Sequence, residues 1–307
     1  MSAPVLLRCA GYQGEASVHT RGLRAFAAAL ETAGSDVTVE ITANVTARGE
    51  PAAALPGLVE RGALDLCYFN SSYLAERVPA LRALDLPFLV TERTRAYAML
   101  DGALGRHLVA AIEATTGFQV LAFWDNGFRH ITNRVRPIRG PHDCAGLRLR
   151  TVDSALHQEI FRALGFEPIA IDVKDLPDAV VSGRVDAQEN PLTNTVNFGL
   201  QRTHRHISLT AHFFGVALVL VNRARFQTWP ASVLTAIRDA LAAATAAQRR
   251  FAADEDAVCL KLLAAEGCTI VGPDAIDLAA FDAAVAAIRR RETAALDPDV
   301  VAALDAP

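Results

Sequence analysis

Between Val5 and Trp124 short apolar runs alternate with amphipathic stretches, and this alternation limits the fold more than any other feature of the chain. Val5 to Cys9 reads as an apolar strand. Ser17 to Thr32 then places Val18, Leu23, Phe26, Ala27 and Leu30 at helical spacing, and Gly34 stops that helix. Val37 to Ile41 alternates as a strand, Pro51 to Arg61 reads as a helix closed by Gly62, and Leu64 to Phe69 is a strand again. A long helix is expected over Arg95 to Thr116, before a strand over Gln119 to Trp124. Strands joined through helices form a mostly parallel sheet covered on both faces.

At Trp124 the pattern restarts. Arg148 to Thr151, Glu167 to Ile171 and Val185 to Gln188 read as strands, separated by helices at Ser154 to Leu164 and Asp175 to Ser182; this predicts a second α/β sheet. Gly215 to Asn222 is a strongly apolar strand that returns toward the first. Ala231 to Ala265 holds a helical pattern without Gly or Pro, about 50 Å long at 1.5 Å per residue, enough to bridge two lobes. The expected division is a first α/β lobe of 1–123 plus about 210–250, and a second of 124–209 plus about 251–307. The length of 307 residues fits about two domains on a prior of roughly 150 residues each.

Composition excludes several functions. A net charge of −4 argues against nucleic acid and anionic membranes as partners. Basic residues are arginines except for Lys174 and Lys261, a bias that, like the alanine excess, suits a GC-rich genome. No apolar run reaches the 18 or so residues of a membrane span. The first residues lead straight into the first strand without the basic-then-apolar pattern of a leader, which leaves cytoplasm and export both open. Cys9, Cys67, Cys144, Cys259 and Cys268 fit no zinc spacing and read as separate buried thiols, with a Cys259–Cys268 pair as the alternative in an oxidising compartment. His204 and His206 stand among arginines, which disfavours a metal cation and suggests a solvated basic patch. No Ser-His-Asp arrangement, HExxH, P-loop or CxxC is present, so the reading includes no catalytic residue, metal or cofactor.

Two arginines carry the strongest chemical signal. Arg129 follows the aromatic-rich run Phe123 to Phe128, and Arg150 lies in Leu147-Arg148-Leu149-Arg150. A guanidinium stays charged at working pH, and its fork fits a carboxylate through two parallel hydrogen bonds. Near the end of a buried strand it is costly unless an anion meets it. On a period-two strand Arg148 and Arg150 share a face, so the pattern alone leaves either as the clamp. For Arg129 a local acid, Asp125 or Asp143, is an alternative partner.

Five ordered segments give the chain a resemblance that spans nearly its whole length. They are Leu84-Asp85-Leu86-Pro87-Phe88-Leu89; Gly127-x-Arg129 with Arg136-Pro137-Ile138; Gly146-Leu147-Arg148-Leu149-Arg150; Ser182-Gly183-Arg184-Val185-Asp186-Ala187-Gln188-Glu189-Asn190; and Thr210-Ala211-His212 with Asn222 and Trp229-Pro230. In order and spacing they resemble the DctP-like solute-binding proteins of tripartite ATP-independent periplasmic (TRAP) transporters. The resemblance implies a two-lobed periplasmic-binding-protein-like α/β fold with two mixed sheets, a hinge cleft and a long helix spanning both lobes. It implies a periplasmic receptor that captures a small organic acid and delivers it to membrane permease subunits. It makes Arg150 the carboxylate clamp, with Arg129 and Asn190 as further contacts.

The residues themselves add candidates. Tyr12 follows the first strand, and Phe69, Asn70 and Tyr73 follow the third, at the carboxyl ends where open α/β sheets bind ligands. Of Phe213 and Phe214 at most one faces a ligand, because neighbours on a strand point opposite ways; Phe213 is the candidate. Asn190 has a structural alternative as cap of a helix starting near Leu192. The aromatic content gives an aromatic carboxylate equal weight with a hydroxylated one. The rival class is a cytoplasmic enzyme or ligand sensor on the same architecture.

Overall fold

A computed structural model of the chain describes residues 5–305; residues 1–4, on which the leader question turns, lie outside them. Among the described residues the strands are β1 (Val5–Ala10), β2 (Val37–Thr42), β3 (Leu66–Asn70), β4 (Phe118–Asn133), β5 (Arg148–Thr151), β6 (Glu167–Ala170), β7 (Ala187–Pro191), β8 (His206–Asn222) and β9 (Thr269–Val271). The helices are α1 (Val18–Thr32), α2 (Leu55–Glu60), α3 (Arg93–Asp101), α4 (Ala103–Thr115), α5 (Ala155–Ala163), α6 (Leu176–Val181), α7 (Leu192–Asn197), α8 (Arg223–Phe226), α9 (Ala231–Ala265), α10 (Leu278–Ala295) and α11 (Pro298–Asp305).

The strands form one mixed sheet in the order β2-β1-β3-β8-β4-β7-β5-β6, with β9 on β8, and not the two sheets expected. The reason lies in β4 and β8. The pattern shows only Gln119 to Trp124 and Gly215 to Asn222, but the strands run 16 and 17 residues. Gly127 lets β4 continue past the aromatic run: its φ is +85°, and a Cβ there would lie 2.9 Å from the Pro191 Cβ. Only glycine meets both conditions. The expected helix over 95–116 also divides, at Gly102, where a Cβ would approach the Ala98 carbonyl oxygen to 2.6 Å.

The chain separates into two compact units. Unit 1 comprises Met1–Asn70, Leu108–Asn126 and Val216–Glu255; unit 2 comprises Ser71–His107, Gly127–Gly215 and Asp256–Pro307. The segment Ser71–His107, assigned from the sequence to the first lobe, thus belongs to unit 2. The 35-residue α9 starts in unit 1 and ends in unit 2. No helix among the described residues is long and apolar enough to cross a membrane.

In unit 1, β1 runs parallel to β2 and β3, and β3 is antiparallel to the end of β8, with Asn70 opposite Ala217. Helix α1 is capped by Ser17, whose Oγ accepts from Thr20 N at 3.0 Å, and it buries Leu23, Phe26 and Leu30. Trp124 is fully buried and its indole Nε1 donates to Thr245 Oγ at 3.0 Å. In unit 2, β4 is antiparallel to β7, and β5 runs parallel to both β7 and β6. Its core packs Ile131, Leu149, Ile160, Phe161, Phe213 and Phe281 together. Removing such side chains from water contributes roughly 1.5–3 kcal/mol each.

Candidate functional site

Both arginines are buried, but in opposite circumstances. Arg129 on β4 opposes Pro191 on β7, so Glu189, two residues back, is its diagonal neighbour on the same face. Arg129 Nε donates to Glu189 Oε2 in a short contact, and Nη2 donates to Oε1 at 2.9 Å and to the Glu189 carbonyl at 2.9 Å. The partner is therefore Glu189, neither Asp125 nor Asp143. Asp143 instead accepts from the backbone of Arg139 and Gly140.

His212 completes this group. Its Nε2 lies 3.5 Å from Glu189 Oε2, and its Nδ1 is 2.7 Å from Thr210 Oγ1. Burial alone raises the Glu189 carboxyl, yet the charge and hydrogen bonds of Arg129 and the nearby His212 outweigh it, and the carboxyl sits well below its ordinary range. Burial lowers His212 in turn. His130 beside it is pushed down to about 3, by burial first and then by the charges of His212, Arg93 and Arg129. His130 Nδ1 accepts from Ala211 N at 3.1 Å, which places its proton on Nε2. That bond holds Ala211 at φ 45°, a left-handed kink inside β8.

Arg150 has no such acid. It is 1 % exposed, its Nε donates to the Ile171 carbonyl at 2.8 Å, and its Nη2 is buried with no hydrogen-bond partner. Arg150 makes no ion pair among the described residues. Tyr73 is beside it: burial raises the Tyr73 hydroxyl, while Arg150 opposes that shift both as a charge and as a hydrogen-bond partner. Arg129 acts on Tyr73 as well, so the two arginines and the phenol are neighbours within unit 2. The Arg148 alternative closes here. Arg148 Nε donates to Asp186 Oδ2 at 2.7 Å, and Arg134 Nη2 reaches Asp186 Oδ1 at 2.6 Å. Asp186 is held below the ordinary carboxylate range, above all by its hydrogen bond from Arg148.

Asn190 does not cap α7; Pro191 stands at the cap position with no side-chain bond. Its amide is engaged inside the site: Nδ2 donates to Gln188 Oε1 at 2.6 Å, and Oδ1 accepts from Arg129 Nη2 at 3.4 Å and Asn194 Nδ2 at 3.3 Å. Phe213 is buried in the unit 2 core and stacks on His157, with ring centroids 4.7 Å apart. Unit 2 thus brings together Arg129, Arg150, Tyr73 and Asn190. Tyr12, Phe69 and Asn70 belong to unit 1, where the Tyr12 ring meets Phe69 edge-on at 6.0 Å and Tyr12 bridges to Asn44. The sequence reading missed Glu189, His212, Asp85 and His157. Glu189, His212 and Asp85 stand in the motifs quoted above, but the pairing of Glu189 with Arg129 and His212 is a cross-strand fact.

Two further expectations change. His204 is not solvated: it is fully buried, and burial lowers it to about 4. All five cysteines are thiols, and Cys259 and Cys268 pack in one apolar cluster with Leu192, Ile207 and Leu263. Among the described residues no group of three or more potential metal ligands forms.

The family model described as DctP, bacterial extracellular solute-binding protein, family 7, matches residues 10–294. The chain belongs to that family. A solute-binding protein of Verminephrobacter eiseniae is 33 % identical over 230 residues, 75 % of this chain and 68 % of the relative. The 2,3-diketo-L-gulonate-binding periplasmic protein YiaO of Escherichia coli is 32 % identical over 169 residues, 55 % of this chain and 51 % of YiaO. A TRAP periplasmic solute-binding protein of Polaromonas sp. JS666, bound to D-erythronate, superposes with a TM-score of 0.91 at 26 % identity, covering 98 % of each chain. The family 7 assignment makes the chain a periplasmic solute-binding protein, and the enzyme alternative falls with it.

Proposed function

We propose that Arg150 is the carboxylate clamp of this receptor, and that the ligand is a small organic acid handed on to the permease subunits of a TRAP transporter. The observation that carries the reading is the Nη2 of Arg150, a buried cationic donor with no partner, beside a second arginine whose charge is already met by Glu189. A guanidinium in that state gains from an incoming carboxylate what it lost on leaving water. Each charge-assisted hydrogen bond is worth roughly 1.5–3 kcal/mol, so two of them supply a large part of the −8 kcal/mol of a micromolar complex. Tyr73 fixes the guanidinium, and Arg129, bound to Glu189, holds Asn190 in place as a further contact. The Polaromonas protein is bound to D-erythronate and YiaO is named for 2,3-diketo-L-gulonate; both ligands are acids, which supports this chemistry.

Calorimetric titration of the purified protein with a panel of organic acids tests the reading. Micromolar binding of at least one carboxylate, abolished in Arg150→Ala, is the expected result. Full affinity in Arg150→Ala, or no response to any carboxylate, overturns it.

A further inference from the structure

Between Arg150 and Asn190 stands a residue to which the clamp gives no role. Gln188 on β7 is opposite Thr132 on β4 and opposite Arg150 on β5. Residues opposed in a ladder carry their side chains on one face, so Thr132, Gln188 and Arg150 form a row across the sheet. Asn190 follows on that face, two residues along β7. The core of unit 2 takes the other face through Ile131, Ala187 and Leu149. Gln188, Thr132 and Asn190 are all buried.

A side-chain amide has nearly the same shape with its oxygen and nitrogen exchanged, so the groups around it decide what it offers. Around Asn190 that choice is made. Oδ1 accepts from Arg129 Nη2 at 3.4 Å and from Asn194 Nδ2 at 3.3 Å, which fills both lone pairs. Nδ2 gives one hydrogen to Gln188 Oε1 at 2.6 Å, and its second hydrogen meets no acceptor among the described residues. Gln188 can face Asn190 with its oxygen because its own nitrogen is engaged elsewhere. Its Nε2 donates to Thr132 Oγ1 at 2.7 Å and approaches Thr195 Oγ1 at 3.5 Å. Thr132 Oγ1 in turn lies 3.4 Å from His204 Nδ1. Burial lowers His204 to about 4, so the ring is neutral at working pH and Nδ1 can accept the threonine hydroxyl, which leaves the oxygen open to Gln188. The fold alone does not call for these polar side chains, since apolar ones of the same shape need no partners.

We infer that Gln188 is a positioning residue of the binding site: held by Thr132, it orients the Asn190 amide so that the second Nδ2 hydrogen is a fixed donor to the anion that Arg150 takes. This rests on the clamp reading, with Asn190 as its further contact, and extends it to residues that touch no ligand. Asn190 thereby favours ligand atoms that only accept, as carboxylate oxygens do. Its orientation is settled at folding, so a ligand does not bear that cost on binding.

A double-mutant cycle read by titration calorimetry tests this. D-erythronate, D-galactonate and succinate are the probes, and the one that the wild type binds tightest is used throughout. Gln188→Met keeps the length of the side chain and removes its bonds, and affinity is expected to fall about tenfold. Asn190→Ala is expected to lose at least as much. In the Asn190→Ala background Gln188→Met costs less than about a further twofold, because no amide is left to orient. A glutamine that only supports the sheet lowers affinity by the same factor in both backgrounds. That result overturns the inference, as does unchanged affinity in Gln188→Met or in Asn190→Ala. Thr132 gives a second arm with less disturbance of packing: Thr132→Val loses affinity about three- to tenfold, and Thr132→Ser, with the hydroxyl restored, regains it to within about twofold. Equal affinity in these two proteins also overturns the inference. All of these failures leave the clamp standing if binding is still lost in Arg150→Ala. Binding that survives in Arg150→Ala, or no response to any of the three acids, overturns the clamp and the positioning role together.

Discussion

Replacing each of the two buried arginines by methionine is expected to have unequal effects on stability and the same effect on binding. Methionine keeps the length and flexibility of the side chain while removing charge and donors. In Arg129→Met, Glu189 keeps its buried carboxylate but loses the guanidinium that offsets its burial. Breaking such a pair from one side costs about 3–5 kcal/mol. For a chain of this size that corresponds to a fall in Tm of roughly 6–20 °C, taking about 2–4 °C per kcal/mol. In Arg150→Met no carboxylate is abandoned. The loss is one hydrogen bond to the Ile171 carbonyl and one to Tyr73, roughly 1.5–3 kcal/mol each from a charged donor, and it is offset by the removal of a buried charge that has no counter-ion. The net cost is therefore smaller than in Arg129→Met.

Urea denaturation of the unliganded proteins, followed by tryptophan fluorescence and circular dichroism, measures both changes. Ligand titration then shows the shared effect: binding falls in both, and in Arg150→Met by at least about 3 kcal/mol, a factor near 150, if two charge-assisted bonds are lost. An Arg150→Met protein as destabilised as Arg129→Met would mean that Arg150 has a structural counter-charge. Unchanged ligand affinity in it would place the clamp elsewhere. Either result refutes the reasoning.

Other consequences are open to measurement. Arg148→Ala is expected to keep ligand affinity within about twofold, because its fork is spent on Asp186; a tenfold loss by calorimetry would return it to the clamp. Gly127→Ala is expected to cost about 1–3 kcal/mol in denaturation, since φ is +85° and the new methyl meets Pro191 at 2.9 Å; unchanged stability would mean the strand bends without the glycine. Acid should destabilise the fold through its buried histidines. His19 and His204 are lowered to about 4 and His130 to about 3, chiefly by burial, so their contribution is intact above the unfolded value near 6.5 and is lost as pH falls below it. Each takes a proton only when unfolded in that window, a slope of roughly 1.4 kcal/mol per pH unit per histidine. Denaturation midpoints that stay flat between pH 7 and pH 5 would contradict this.

Local signals were legible in the sequence where the physics is local. The apolar spacing of Ser17 to Thr32 predicts a helix, and α1 begins one residue later, with the Ser17 oxygen accepting from Thr20. The 35-residue α9 follows from a stretch lacking Gly and Pro. Long-range pairing was not legible. The second half of β4 interleaves polar Asn126, Arg129, His130, Thr132 and Asn133 at positions that are all buried, so its alternation vanishes. It is nonetheless a strand, because β7 supplies its backbone partners and Glu189 meets its arginine. The same blindness hid the status of the arginines. Period two places Arg148 and Arg150 on one face, but only the position of Asp186, 38 residues from Arg148, shows which of them is paired.

That division of partners also explains why a solute-binding site carries two arginines where one fork would hold one carboxylate. A lone buried guanidinium is mobile in its rotamers and attracts any nearby acid of the protein. Glu189 is committed to Arg129 through two side-chain hydrogen bonds and flanked by His212, so this acid of the neighbouring strand is not free to pair with Arg150. Arg129 is in turn fixed well enough to hold Asn190 by its Nη2. Both arginines stand on paired strands, so their orientation entropy is spent at folding and not at binding. Glu189→Gln tests this directly. It leaves Arg129 charged and unpaired next to Arg150, so the site attracts small inorganic anions that a committed pair does not. Chloride or sulfate at tens of millimolar should then compete with organic-acid binding in Glu189→Gln and not in the wild type. Equal sensitivity of both proteins to these anions would show that Glu189 does not insulate the clamp.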